Sequence, residues 1–336
     1  MLERIDMRLP FGIHAVKTVP IEPFRRGEEP FRRLSMSRAS KSPITICPGF
    51  HDPARVAKMQ YRPLGNTGMV TSILSIGGSG FGNVYGTIDC EDSVRVLHTA
   101  LQWGVNYIDT APWYGQGESE RFLGKALKGV PREAYFIATK VGRYEKDVRR
   151  MFDFSPARIQ QSAAESLHRL GLEYVDVLQL HDVEFAPGIE SSPDVDFVVK
   201  VALPALQELK EKGLCRFIGI TGYPLDFLKE VVERSQVKID TVLTYCHLSL
   251  NDSTLVEFFP FFSEKGIPLI NASPVSMGLL THSTPPPWHP ASREIKEACS
   301  EAAEYCKHHG VNITKLAIQY PLSFSQVMHH LHAFHT

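Results

Sequence analysis

The sequence predicts an α/β fold, a closed (β/α) barrel around a parallel sheet, and three observations carry that reading. Short apolar runs alternate with amphipathic helical stretches over some 250 residues, the pattern of strand–helix units. Seven such units point to a ring more than to an open doubly wound sheet. No G-x-G-x-x-G fingerprint opens a helix after the first strand; "GGSGFGN", residues 77 to 83, is glycine-rich but wrongly spaced.

The elements follow in chain order. Residues 1 to 58 hold seven prolines and no sustained periodicity, and are read as a mostly disordered leader. They are basic, with 11 Lys/Arg against 6 Asp/Glu, which leaves 25 against 31 for the rest. The six acids argue against an organellar presequence, and Met59 is a sensible second start, so the leader is taken as a non-targeting extension. The barrel is placed at 59 to 322. It begins with "YRPLGNTGMVTSIL", a Gly-Asn-Thr-Gly turn between two extended pieces that predicts a hairpin. Strands are expected at 73–77, 106–109, 135–140, 175–181, 217–221, 241–245 and 268–273. Helical patterns between them, such as "SPARIQQSAAESLHRLG" and "VALPALQELKEKG", end at glycines suited to C-caps. Ser155 is a predicted N-cap with Pro156 at the first helical position, and Asn312 caps a later helix.

Composition narrows the class of function. With 43% hydrophobic and 10% aromatic residues, the 336-residue chain has the makings of a well-cored globule. A formal charge of -1 and a pI near 6.9 give no global field for nucleic acid or an anionic membrane. No apolar run approaches the ~18 residues of a membrane span. The six cysteines are scattered without C-x-x-C or Cys/His spacing, which predicts buried thiols, no metal site and a reducing, cytoplasmic setting.

Chemistry in such a barrel gathers at the C-terminal strand ends. Four titratable groups are expected there: Asp109, Tyr114 on the loop after it, Lys140 and His181. Each alone could be a cap, a packed ring, a solvated strand end or a core histidine. Together they form a proton-transfer device. A free phenol is only ~0.1% ionised at pH 7, and a nearby ammonium favours its phenolate. Tyr114 then serves as general acid or base, Asp109 orients Lys140, and His181 donates to the substrate oxygen.

The hairpin, "YIDTAPWYG", "ATKVGR" and "VDVLQLHD" resemble the signature segments of the aldo-keto reductase superfamily. The likeness covers about Gln60 to Leu322 and implies a (β/α)8 TIM barrel with an N-terminal β-hairpin. It places the family's catalytic tetrad on Asp109, Tyr114, Lys140 and His181, with Trp113 and His181 toward substrate. "GITGYPLD" and "TVLTYCHLSLND" are most similar to the branch of L-galactose and D-arabinose dehydrogenases. That branch oxidises the C1 hydroxyl of a sugar to a lactone with NAD or NADP. The resemblance further implies Gly80, Phe81, Asp109, Thr221, Gly222, Thr244, Ser273 and Val275 at the cofactor. Relatives commonly carry Ser-Asn where Thr221 and Gly222 stand, Gln near Thr244, and an aromatic ring at Ala272.

The end of the chain departs from the family. "FSQVMHHLHAFHT" stands where an eighth strand and helix are expected, so residues 323 to 336 are read as a divergent tail and the eighth strand as missing or replaced. A seven-stranded ring would leave two unpaired edges and a damaged cofactor clamp. The tail's His329, His330, His332 and His335 lack carboxylate or cysteine partners and are not read as a metal site. Two other readings of function stay open: a non-catalytic truncated isoform or interaction subunit, and a general reductase of aldehydes and ketones. The expected partner is a small sugar or carbonyl compound; oligomeric state is not legible.

Overall fold

The computed structural model describes residues 45 to 333 except 85, 87 and 326. Within it, alternation of side chains along each strand sorts residues to two faces, and the inward set builds the barrel interior. The hairpin strands β1 (Tyr61–Pro63) and β2 (Val70–Ser72) pair antiparallel. The barrel strands are β3 (Leu74–Gly77), β4 (Tyr107–Asp109), β5 (Phe136–Val141), β6 (Val175–Leu180), β7 (Cys215–Thr221), β8 (Thr241–Tyr245), β9 (Leu269–Ala272) and β10 (Val327–Ala333). Each pairs in parallel with its neighbours, and β10 joins β9 to β3 to close the ring.

Of the two alternatives expected for the eighth strand, missing or replaced, the structure shows the second, and no open edge is left between β3 and β9. The eighth place is filled from the segment read as a divergent tail, with Val327 opposite Leu269 and His330 opposite Leu74. The physical reason is the backbone. The facing N–H and C=O groups of β3 and β9 form a template that nearly any extended chain satisfies, so a segment without clear alternation still serves. Its register is irregular between Val327 and His329. Of the four tail histidines, His335 lies outside the described residues.

Part of the stretch expected to be a disordered leader is ordered. Residues 1 to 44 lie outside the described residues, but 45 to 58 are built into the fold. Thr45 and His51 are buried, Asn106 Nδ2 donates to Thr45 Oγ1 at 2.9 Å, and Asp52 caps the short helix α1 (Pro53–Val56). This stretch is held by that bond to Asn106, by the Asp52 N–H on the Gln102 carbonyl at 2.9 Å and by Cys47 and Phe50 packed against the core; Asn106 also accepts the Ser72 N–H at 2.7 Å.

Tyr107, Phe136, Ala138, Val177, Leu243 and Ile270 fill the lower barrel interior, and Leu64 and Met69 of the hairpin plug it from below. A larger apolar layer lies between the strands and the helices. These helices are α2 (Cys90–Gln102), α3 (Glu118–Ala126), α4 (Pro156–Leu170), α5 (Val195–Phe197), α6 (Leu203–Glu211), α7 (Leu225–Arg234), α8 (Phe259–Glu264), α9 (Arg293–His308) and α10 (Ile313–Leu322). A π turn, Val198–Ala202, links α5 to α6. The predicted caps hold: Ser155 accepts from the Arg158 N–H, Gly171 takes φ 66° after α4, and Asn312 accepts from the Lys315 N–H at 2.9 Å. Two buried carboxylates stitch neighbouring elements. Asp176 accepts from the Ile137 N–H, Arg132 and Arg216, and Asp240 from the Ile218 N–H and Lys210. With the lower interior filled, the upper end is left for chemistry.

Candidate active site

Strand alternation brings Asp109, Lys140 and Gln179 inward on β4, β5 and β6, one layer above the apolar plug. Lys140 is fully buried for its length, yet all three ammonium hydrogens find acceptors: Asp109 Oδ1, the Thr110 carbonyl at 2.9 Å and Tyr114 Oη at 3.3 Å. Gln179 Nε2 donates to the other Asp109 oxygen at 2.8 Å. The four groups form one connected network, the condition under which a buried charge is tolerated. Tyr114 reaches it from a loop that the glycine-rich turn at Gly80–Gly82 supports. A Cβ on Gly82 would lie 2.5 Å from the Tyr114 carbonyl carbon, so only glycine allows that approach. His181 follows β6, its N–H on the Val141 carbonyl at 2.8 Å and its ring edge-on to Tyr114, centroids 5.9 Å apart. All four members of the expected tetrad therefore meet.

The protonation states follow from these surroundings. For Lys140, burial is the largest influence and opposes the charge, but Asp109 and Tyr114 outweigh it and the pKa stands raised. For Tyr114, burial raises the phenol pKa more than Lys140 lowers it, so the net direction is up. This corrects the expectation that the ammonium alone would favour phenolate: Asp109 neutralises much of that ammonium, and the half-buried phenol is partly withdrawn from water. Burial, then Lys140 and Arg143, hold His181 well below the usual imidazole range, so it is neutral. A protonated phenol and a neutral imidazole can both donate to one substrate oxygen.

The residues expected at the cofactor are placed less uniformly. Thr221 ends β7 on the inward face and accepts the Asp182 N–H at 3.0 Å, which leaves its own hydroxyl hydrogen to donate. Thr244 follows Val242 on β8, and alternation turns it outward toward the helices; the inward place falls to Tyr245. A cofactor contact was expected of Thr244, and the strand frame turns its side chain away from the mouth. A Cβ on Gly222 would meet Glu184 Oε2 at 2.6 Å, so the Glu184 carboxyl occupies the space a side chain there would need. The Phe81 ring packs on Phe122 of α3, centroids 4.5 Å apart, and faces the core; Gly80 contributes backbone only. Ser273, at φ 55°, and Val275 form the loop after β9.

Four residues of the site were not singled out from sequence: Gln179, Arg143, Asp182 and Glu184. Arg143 Nη1 donates to Asp182 Oδ2 at 2.6 Å, and its guanidinium lies 3.8 Å over the Trp113 ring. Glu184 is buried, accepts the Tyr223 N–H at 2.9 Å and has its pKa pushed up to about 8 by burial and then by Asp182. Their signal was adjacency. Arg143 is three residues past Lys140 and Asp182 directly follows His181, so both had to emerge at the same mouth.

Among the described residues no cluster of His, Cys, Asp or Glu could hold a metal ion, and no helix is long and apolar enough to cross a membrane. Comparison with known proteins agrees with the geometry. The aldo/keto reductase family profile matches residues 73–331. The chain is 46% identical over 275 residues to L-galactose dehydrogenase of Arabidopsis thaliana, covering 81% of this chain and 83% of the relative. It is 36% identical over 249 residues to D-arabinose 1-dehydrogenase of Saccharomyces cerevisiae, 70% of each chain. An aldo-keto reductase of Bacillus halodurans, solved in its holo form, superposes with a TM-score of 0.64 at 29% identity, over 81% of this chain and 85% of that one.

Proposed function

The chain belongs to the aldo/keto reductase family and is an NAD(P)-dependent oxidoreductase, and from this premise we propose that it oxidises the C1 hydroxyl of an aldose to a lactone. An L-galactose-like or D-arabinose-like sugar is the substrate. The observation that carries the reading is the Tyr114 hydroxyl, 3.3 Å from a buried Lys140, beside a neutral His181, in a chain this similar to an L-galactose dehydrogenase.

The chain's own residues divide the work. His181 and Tyr114 orient the reacting oxygen between them. For oxidation Tyr114 acts from its phenolate form, which Lys140 stabilises by donating to Oη; the phenolate takes the hydroxyl proton and becomes the neutral phenol. Asp109, fixed by Gln179, keeps the ammonium aimed. In the reverse direction the phenol returns the proton. The nicotinamide, when bound, supplies the hydride chemistry. Thr221, with a hydroxyl hydrogen to spare, is suited to its carboxamide, and Ser273 and Val275, on the loop after β9, would approach the cofactor's pyrophosphate.

The test is a panel of aldoses with NAD+ and NADP+, run beside simple aldehydes with NADH and NADPH. Aldose oxidation is expected to dominate. Reduction of simple aldehydes with no aldose turnover would refute the sugar reading, and a soluble chain that binds neither cofactor would favour an interaction role. Tyr114→Phe should lower turnover by about 10²- to 10⁴-fold while fluorescence titration shows nearly intact cofactor affinity. Retained activity would contradict the proton-transfer role.

A further inference from the structure

The mouth contains polar groups that the proton-transfer network does not use. Arg143 and Asp182 are delivered there by the strand ends that carry Lys140 and His181. Their ion pair is largely withdrawn from water, with 20% of the Arg143 side chain and 3% of the Asp182 side chain exposed. A buried pair contributes little to stability on its own. A purely structural latch would also saturate its donors. Here Arg143 Nε and, in the ring stacked on it, Trp113 Nε1 are buried without an acceptor. Asp182 is held in the left-handed region at φ 56°, with its N–H on Thr221, a conformation kept only where the surroundings enforce it. Its Oδ2 lies 3.9 Å from His181 Nε2, which places the carboxylate beside the position of the reacting oxygen.

We propose that Arg143, Asp182 and Trp113 form a hydroxyl-reading subsite beside the reacting oxygen, which selects a polyhydroxylated substrate over a simple aldehyde or alcohol. The proposal deepens the aldose reading and rests on it. Two N–H donors and a carboxylate acceptor match a sugar, whose hydroxyls both donate and accept. A substrate without hydroxyls leaves these groups unsatisfied, and sites built to bond a hydroxyl discriminate strongly against analogues that lack one. Arg143 and Asp182 act on substrate binding and position, and take no part in the proton transfer.

The experiment compares Arg143→Gln, and the charge-balanced double variant Arg143→Gln/Asp182→Asn, with the unaltered chain. The double variant removes the hazard of an unpaired buried carboxylate. For each, kcat/KM is measured on an aldose, its 2-deoxy analogue and a simple aldehyde. The ratio of aldose to simple-aldehyde kcat/KM is expected to fall by about 10- to 100-fold, chiefly through KM, with the 2-deoxy sugar losing less. An equal fall on all three substrates, or none, would overturn the subsite. Calorimetric titration of 1,5-anhydro-L-galactitol, which lacks the reacting hydroxyl, into the NAD(P)+-loaded protein gives a readout independent of turnover. Weaker binding by the variants supports the subsite, and no binding by the unaltered chain refutes it. Absence of aldose oxidation alongside Arg143-dependent polyol binding would refute only the aldose reading.

Discussion

At the scale of the residue, the site is governed by what burial does to charge. Lys140 stays charged because each of its hydrogens has an acceptor, whereas the Glu184 carboxyl has only backbone N–H donors against burial and a neighbouring Asp182. Its pKa stands at about 8 against an ordinary 4.5, so the folded chain holds a proton that the unfolded chain releases between those values. The contribution of Glu184 to stability is therefore complete below about pH 4.5 and lost as pH rises through about 8. Glu184→Gln keeps an acceptor for the Tyr223 N–H and removes that dependence. Urea unfolding should show the variant gaining on the unaltered chain by roughly 1 to 3 kcal/mol between pH 5 and pH 8. A difference independent of pH would show that the carboxyl ionises freely in the fold. The four tetrad residues were legible in the sequence because each closes or follows an apolar run. Glu184 was not, since its position beneath Gly222 depends on how a turn folds back.

At the scale of the element, α3 links the Tyr114 loop to the strand that carries Lys140. Glu120 on this helix is buried and accepts from Thr139 Oγ1 and from Arg169 Nε, both at 2.6 Å. Gly124, one turn on, touches the end of α4: a Cβ there would stand 2.3 Å from the Arg169 carbonyl oxygen. An alanine ordinarily stabilises a helix interior by up to ~1 kcal/mol relative to glycine. At this position Gly124→Ala should instead destabilise by roughly 1 to 3 kcal/mol, because backbone cannot retreat as a side chain can. Chemical denaturation checks the sign, and a neutral result would show that α3 can slide on α4. The helices and caps were readable from period and end signals. The outward turn of Thr244 was not, because it rests on the exact frame of a five-residue strand.

At the scale of the whole molecule, the ring is complete because the last described strand pairs on both sides. Arg62 of the hairpin donates through Nη1 to the carbonyls of Phe324 at 3.0 Å and Val327 at 2.7 Å, which holds the entry to β10 against the barrel floor. A chain that stops at Ser325 should lose this latch and expose the edges of β3 and β9. Light scattering is expected to report aggregation and urea unfolding a lower midpoint; a monomer of unchanged stability would show that seven strands suffice. The sequence made seven strands visible through their apolar runs, whereas β10 was hidden because main-chain pairing places it more than side-chain pattern does. In the closed cylinder Leu74 sits opposite His330, partners from nearly opposite ends of the barrel's sequence. Among the described strand pairings, zipping that seam carries the greatest loop-closure entropy. Until it is zipped, the seam is the point at which another molecule's strand could intrude, which makes promptness of closure a condition for staying single.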